Sequence, residues 1–179
     1  QRVIARKLAA LEQGEDALVF GSGMAAIATL LFAYLKPGDH AAFQADLYGG
    51  THQFVTKELT RLGVEISFSR TAEEFSAALR PNTRLIYVES PSNPLLQCVE
   101  LAAVGKLGRE RGVLTVIDNT FATPINQNPI HVVLYVKTPL QRWRGAGNSD
   151  QVSVAPTRTM NASPRAGCRR PQTHAGRDR

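Results

Sequence analysis

The stretch Val113-Leu114-Thr115-Val116-Ile117-Asp118-Asn119-Thr120-Phe121 decides how the chain is read. After Gly112 come five residues rich in Val, Ile and Leu, the composition of a strand buried on both faces, and an acid stands where that strand ends. Open α/β sheets bind ligands at the carboxyl ends of their strands, so Asp118 is the first functional candidate. A buried ionised carboxylate is costly unless a cation or several donors meet it, and a ligand with a protonated ring nitrogen would meet it. The structural alternative is a turn that Asp118 caps together with Asn119 and Thr120.

Working outward, strand and helix patterns alternate on the amino-terminal side without a repeat. Val3, Ile4, Leu8 and Leu11 recur at helical spacing, so residues 2–13 read as an amphipathic helix ending at Gly14. That helix begins with no cap, which is read as the loss of an N-terminal piece. Ala17-Leu18-Val19-Phe20 reads as a short buried strand, Gly21-Ser22-Gly23 as a tight turn, and Met24 to Leu35 as a helix apolar nearly all round, ended by Lys36-Pro37-Gly38-Asp39. His40 to Gln44 is a weaker strand, and Asp46-Leu47-Tyr48-Gly49-Gly50-Thr51 a loop. A helix follows from about Thr51 to Leu62, then an alternating strand from Val64 to Phe68. Thr71-Ala72-Glu73-Glu74 is a capping box for a helix running to Leu79. Leu85-Ile86-Tyr87-Val88 is a buried strand, Glu89-Ser90-Pro91-Ser92-Asn93-Pro94 a loop stiffened by proline, and Val99 to Arg111 a helix leading back to the opening stretch. The expected fold is α/β: a mostly parallel sheet with helices on both faces, joined by right-handed crossovers.

The net charge of +6 is unevenly spread. Residues 1–130 hold 12 Lys and Arg against 13 Asp and Glu, a balance of −1; residues 131–179 hold 9 against 2, a balance of +7. The basic character therefore belongs to the tail and is not a nucleic-acid footprint of the folded part. The longest apolar run, Met24 to Leu35, is short of the roughly 20 residues of a membrane span, and no signal peptide opens the sequence, so the cytoplasm is expected. Cys98 and Cys168 form no disulfide framework, and His40, His52, His131 and His174 show no metal-ligand spacing and read as surface or packing residues.

The alternation sets every candidate at one sheet edge. Gly21-Ser22-Gly23-Met24 lies between a strand and a helix, so free N–H groups and the positive end of a helix dipole offer an anion site. It lacks the third glycine of the dinucleotide fingerprint and the lysine of a nucleotide phosphate loop; the alternative is a tight turn capped by Ser22. Tyr48 suits stacking on an aromatic ligand or phenolic acid/base catalysis, or is an ordinary half-buried tyrosine. Glu89 and Asn93 offer a second acid and an amide, or merely satisfy their turn.

Four motifs carry a specific resemblance: Phe20-Gly21-Ser22-Gly23-Met24-Ala25-Ala26, Asp46 to Thr51, Val88-Glu89-Ser90-Pro91-Ser92-Asn93-Pro94, and Val116-Ile117-Asp118-Asn119-Thr120-Phe121. In order and spacing the chain resembles, over residues 1 to about 130, the cysteine/methionine-metabolism family of pyridoxal-phosphate enzymes: cystathionine γ-synthase, cystathionine lyases, homoserine-ester sulfhydrylases and methionine γ-lyase. The resemblance implies the central part of a fold-type I large domain, pyridoxal 5′-phosphate as cofactor, a small amino-acid substrate and a homo-oligomer. Nucleic acid and membrane are not among the expected partners. It further implies that Ser22, Gly23 and Met24 hold the phosphate, that Tyr48 stacks on the ring and serves in catalysis, that Asn93 approaches the ring hydroxyl, and that Asp118, with Thr120 beside it, pairs with the pyridine nitrogen.

The pattern breaks after Asn128-Pro129-Ile130. The family continues into a strand ending in Ser-x-Thr-Lys, whose lysine binds the cofactor; it is expected near position 143, where Trp143 stands. Lys137 comes about six residues early and is not expected to take that role. Residues 1–130 thus read as a partial cofactor-binding domain and 131–179 as a divergent, irregular basic tail, low in apolar periodicity. A shift of reading frame shortly after Ile130 would account for the lost pattern and the excess of arginine together; the alternative is true divergence into a solvated basic tail. The chain reads as an incomplete copy, inactive alone; the competing reading is a non-catalytic α/β binding module with a basic tail.

Overall fold

The computed structural model describes residues 2–131, 135–140 and 150–155. In chain order the elements are α1 (Arg2–Glu12), β1 (Asp16–Phe20), α2 (Gly23–Tyr34), β2 (His40–Gln44), α3 (Gly49–Gln53), β3 (Glu65–Ser69), α4 (Ala72–Ala78), β4 (Thr83–Glu89), α5 (Leu101–Arg111), β5 (Leu114–Asp118), α6 (Thr123–Asn126), β6 (Tyr135–Leu140) and β7 (Asp150–Ala155). One sheet runs in the order β1-β7-β6-β5-β4-β2-β3. β2 is parallel to β3 and β4, β4 to β5, and β5 to β6, whereas β7 is antiparallel to β1 and β6. This is the mostly parallel sheet expected from the alternation.

Strand side chains alternate between faces, and the two resulting cores are built from alternate residues of the same strands. Phe43, Leu85, Tyr87, Leu114 and Val116 pack with Ile27, Leu30 and Leu31 of α2. Ala42, Ile86, Val88 and Ile117 pack on the other face with Phe75 of α4 and Val104 and Leu107 of α5. α5 approaches β5 closely at Gly108, where a Cβ would stand 2.0 Å from the Thr115 hydroxyl. Its C-cap, Gly112, takes a left-handed φ of 63° and turns the chain straight into β5.

Several boundaries differ from the sequence reading. β1 is an edge strand with Leu18 63% exposed, so the short apolar run does not mark a strand buried on both sides. β2, the strand weakest in sequence, is wholly buried, because it lies between β3 and β4. His40 belongs to that core, fully buried, with ring nitrogens 2.8 Å from the Thr83 hydroxyl and 3.1 Å from that of Ser67. α3 starts at Gly49, earlier than its apolar spacing indicated, and runs on as a π-helical segment over Phe54–Leu59. The alternation Gln151-Val152-Ser153-Val154 lies in β7, so the segment left irregular by composition adds two strands, β6 and β7, to the sheet. Position 143, where the cofactor lysine was expected, and Cys168 and His174 lie outside the described residues.

Candidate active site

Glu89 and Asp118 end β4 and β5 and are register partners across those strands. Each stands two residues beyond a member of the core under α2, Tyr87 and Val116, so both carboxylates project to the α2 face. They are 3% and 6% exposed. Two adjacent buried carboxylates lose the hydrogen bonds of water, so protein donors must replace them.

The donors are present. Asp118 Oδ1 accepts from the Thr120 backbone N–H at 3.0 Å and from the Thr120 hydroxyl, and Oδ2 accepts from the Tyr87 hydroxyl at 3.4 Å. Asp118 therefore does cap the turn after β5, as the structural alternative held, while also facing the cavity described below. Glu89 Oε2 accepts from the Tyr48 N–H at 2.9 Å, and the Glu89 N–H donates to Gln44 Oε1 at 2.9 Å. These bonds tie the Tyr48 loop and the end of β2 to β4. Burial, with the charges of Asp118 and Glu89 second and third, pushes the Tyr87 phenol well above its ordinary pKa, so it remains a donor.

A second lock sits behind Asp118. Gln127 Nε2 donates at 2.8 Å to both the Ser90 carbonyl and Asn119 Oδ1, and Asn119 Nδ2 returns a bond of 2.9 Å to the Gln127 carbonyl. The turn carrying Thr120 and Phe121 is thereby fixed to the Ser90 loop, in which the Ser90–Pro91 and Asn93–Pro94 bonds are both cis.

The third component is the start of α2. Ser22 is the N-cap, in extended backbone, and its Oγ accepts from the Ala25 N–H at 3.1 Å. The N–H groups of Gly23 and Met24, in the first turn, have no intrahelical acceptor. No acidic residue stands in that turn, so the positive end of the helix dipole is left for an outside anion.

A cavity of about 330 Å³ joins these parts, and all seven residues chosen from sequence line it: Ser22, Gly23, Met24, Tyr48, Asn93, Asp118 and Thr120. Glu89 is also in its wall, with Ile27, Pro91 and Phe121. Tyr48 is 47% exposed, its ring at the cavity's surface. Sequence reasoning missed Gln44, a polar residue ending β2 at the same edge, and Tyr87, whose apolar neighbours disguised it as core. Their polar position at a strand's end and a hydroxyl beside an acid were the available signals. His40 and the exposed Cys98 are not among the lining residues, and among the described residues no group of acids, histidines and cysteines could hold a metal.

The donor set fits pyridoxal phosphate, the cofactor implied by the motifs. A helix start free of acids offers N–H groups to a phosphate, a half-exposed tyrosine offers a ring face, and a buried carboxylate offers a partner to a protonated nitrogen. The cavity is of small-ligand size.

The chain is similar to several known enzymes. The chain is 47% identical over 125 residues to a probable cystathionine γ-synthase of Herpetosiphon aurantiacus, 69% of this chain and 39% of the relative. It is 45% identical over 148 residues to a cystathionine γ-lyase of Bacillus subtilis, 79% of this chain and 38% of the relative. An L-methionine γ-lyase of Fusobacterium nucleatum is 44% identical over 131 residues, 72% of this chain and 33% of the relative. The crystal structure of cystathionine γ-lyase from Lactobacillus plantarum complexed with L-serine superposes with a TM-score of 0.81 at 33% identity, covering 86% of this chain and 42% of that one. The chain thus spans about two fifths of the length of the first two of these relatives. Residues 1–136 match the family described as Cys/Met metabolism PLP-dependent enzyme. The match stops beside Lys137, whose backbone is paired with Asp118 across β5 and β6. The chain belongs to the Cys/Met metabolism PLP-dependent enzyme family, and pyridoxal 5′-phosphate is the cofactor that membership implies.

Proposed function

We propose that this chain carries the cofactor-binding region of an enzyme of sulfur amino-acid metabolism that catalyses γ- or β-elimination or replacement on cystathionine, homoserine esters or methionine. The observation that supports this most is the convergence of seven residues, chosen from four separated motifs, on one cavity. The N–H groups of Gly23 and Met24, with Ser22 capping the helix, hold the phosphate. Tyr48 packs on the ring and serves as a phenolic acid/base; Asn93 orients the ring hydroxyl. Asp118 keeps the ring nitrogen protonated, and Thr120 holds Asp118 in place. When bound, pyridoxal phosphate supplies an electron sink for negative charge at the substrate's α and β carbons. The loops after β4 and β5, locked by Gln127 and Asn119, keep that face rigid.

For the complete protein we place the enzyme in the cytoplasm as a homo-oligomer. Among the described residues no helix is long and apolar enough to cross a membrane. The exposed side chains of Val3 and Leu11 on α1 and Leu18 on β1 suit burial against another copy.

The chain alone binds cofactor but does not turn over, since Trp143 occupies the position expected of the lysine. The test is purified chain with excess pyridoxal phosphate and cystathionine, homoserine esters or methionine, assayed for keto acid and thiol. Saturable binding without product is expected. Turnover abolished by Lys137→Ala would overturn the reading of the tail and make Lys137 the cofactor-binding lysine.

A further inference from the structure

We infer that the Tyr87 hydroxyl is a positioning group for Asp118, holding the Oδ2 side of the carboxylate so that its charge stays turned to the cavity. The inference rests on the reading of Asp118 as partner of a protonated ring nitrogen.

Tyr87 is 1% exposed, and its ring packs 5.7 Å from that of Phe43 in the core under α2. Phenylalanine would fill this place equally well, so packing explains the ring and leaves the hydroxyl unexplained. A buried hydroxyl costs stability unless it is hydrogen-bonded. Here it donates to Asp118 Oδ2 at 3.4 Å and is hydrogen-bonded by the Thr51 side chain. Thr51 is fully buried in α3, three residues beyond Tyr48. The Thr51 hydroxyl also lies 3.9 Å from Met24 Sδ, to which it donates.

The other oxygen, Oδ1, is held by the N–H and hydroxyl of Thr120. Held from both sides, the carboxylate is hindered from rotating about its terminal bond. Because burial and the neighbouring charges of Asp118 and Glu89 favour the protonated phenol, Tyr87 donates and never competes as an anion. The arrangement prepares Asp118 before a ligand arrives, so little of the binding free energy goes into ordering it.

The experiment measures dissociation constants of two probes for the wild-type chain, Tyr87→Phe, Asp118→Asn and the double variant. Pyridoxamine 5′-phosphate carries the ring nitrogen and needs no lysine; benzyl phosphate has a ring and a phosphate but no nitrogen. Tyr87→Phe is expected to weaken pyridoxamine phosphate about threefold to tenfold, the worth of one net hydrogen bond, and to leave benzyl phosphate unchanged. In the Asp118→Asn background it should cause no further loss. An equal loss for both probes, a full loss persisting without the Asp118 charge, or no loss in Tyr87→Phe overturns the inference. Asp118→Asn without effect, or a wild-type chain that binds neither probe, overturns instead the reading of Asp118 on which it rests. If Tyr87→Phe does not fold, Tyr87→Met removes the hydroxyl with a flexible apolar side chain in its place and the same outcomes decide.

Discussion

Gly50→Ala should weaken cofactor binding while leaving the fold almost untouched. A Cβ at Gly50 would stand 2.6 Å from Tyr48 Cε1 and 3.3 Å from Met24 Sδ. Carbon atoms pack best near 3.5–4.0 Å, so the ring must retreat by about 1 Å. It can do so cheaply, because Tyr48 is 47% exposed and its outer edge faces open space. An off-rotamer tyrosine costs about 0.5–1.5 kcal/mol, whereas replacing glycine by alanine within α3 returns about 0.5–1 kcal/mol of backbone entropy. The two nearly cancel, and the melting temperature should change by only a few degrees. The displaced ring no longer lies where it would meet a bound pyridine, and an aromatic pair is worth about 0.5–1.5 kcal/mol, or about twofold to tenfold in affinity. Titration with pyridoxal phosphate, followed by absorbance, should show that loss in Gly50→Ala and a similar one in Tyr48→Ala, with no addition in the double variant. Wild-type affinity in a folded Gly50→Ala chain would refute the stacking role of Tyr48, and outright unfolding would refute the packing argument.

Asp118→Asn keeps an acceptor for Thr120 and a group that can bond Tyr87, so it should fold normally yet bind pyridoxal phosphate about tenfold to a hundredfold more weakly, as expected for the loss of a charge-assisted bond. Asp118→Ala should in addition lower the melting temperature, because it removes the carboxylate to which the buried Tyr87 hydroxyl and the half-buried Thr120 donate; equal melting of the two variants would contradict this. Burial, then the charge of Arg80, lowers the pKa of His40 from its usual 6.5, so the folded state resists its protonation. The stability from neutral His40 is complete above about pH 6.5 and is lost as pH falls below it; thermal melts from pH 7.5 to 5.5 should fall in the wild type and be flatter in His40→Gln. Gly108→Ala should be destabilising by about 1–3 kcal/mol, read by urea denaturation, since its Cβ would meet the Thr115 hydroxyl at 2.0 Å and the Val113 carbonyl at 3.0 Å.

Much of the fold was legible because the signals are local. Gly112 after a helix and Pro37-Gly38 after another mark the ends of elements, and the apolar run 114–117 needs cover on both faces, which only a central parallel strand provides. Burial in β2 was not legible: its polar His40 and Gln44 lower the apolar signal, and only the neighbouring strands show that Thr83, Ser67 and the Glu89 N–H satisfy them. Edge and centre strands look alike when short, which is why β1 read as buried. At the site, polar residues at strand ends were visible, as were the glycines beside Tyr48. The Tyr87 hydroxyl and the exchange between Asn119 and Gln127 were not, since they depend on pairs 31 and 8 residues apart meeting in space. The register that sets Lys137 beside Asp118 is likewise a property of strand pairing and not of spacing along the chain.

The central claim is that the cavity at the carboxyl edge of β4 and β5 is a pyridoxal-phosphate site made by the start of α2 and by Asp118. Its most direct test is isothermal titration of the purified chain with pyridoxal 5′-phosphate, beside a variant in which Ser22→Ala and Asp118→Asn are combined. The account predicts saturable binding at one site per chain in the wild type and its loss in the variant, with the fold of both verified by circular dichroism. No saturable binding by the folded wild-type chain, or equal binding by the folded variant, would contradict it.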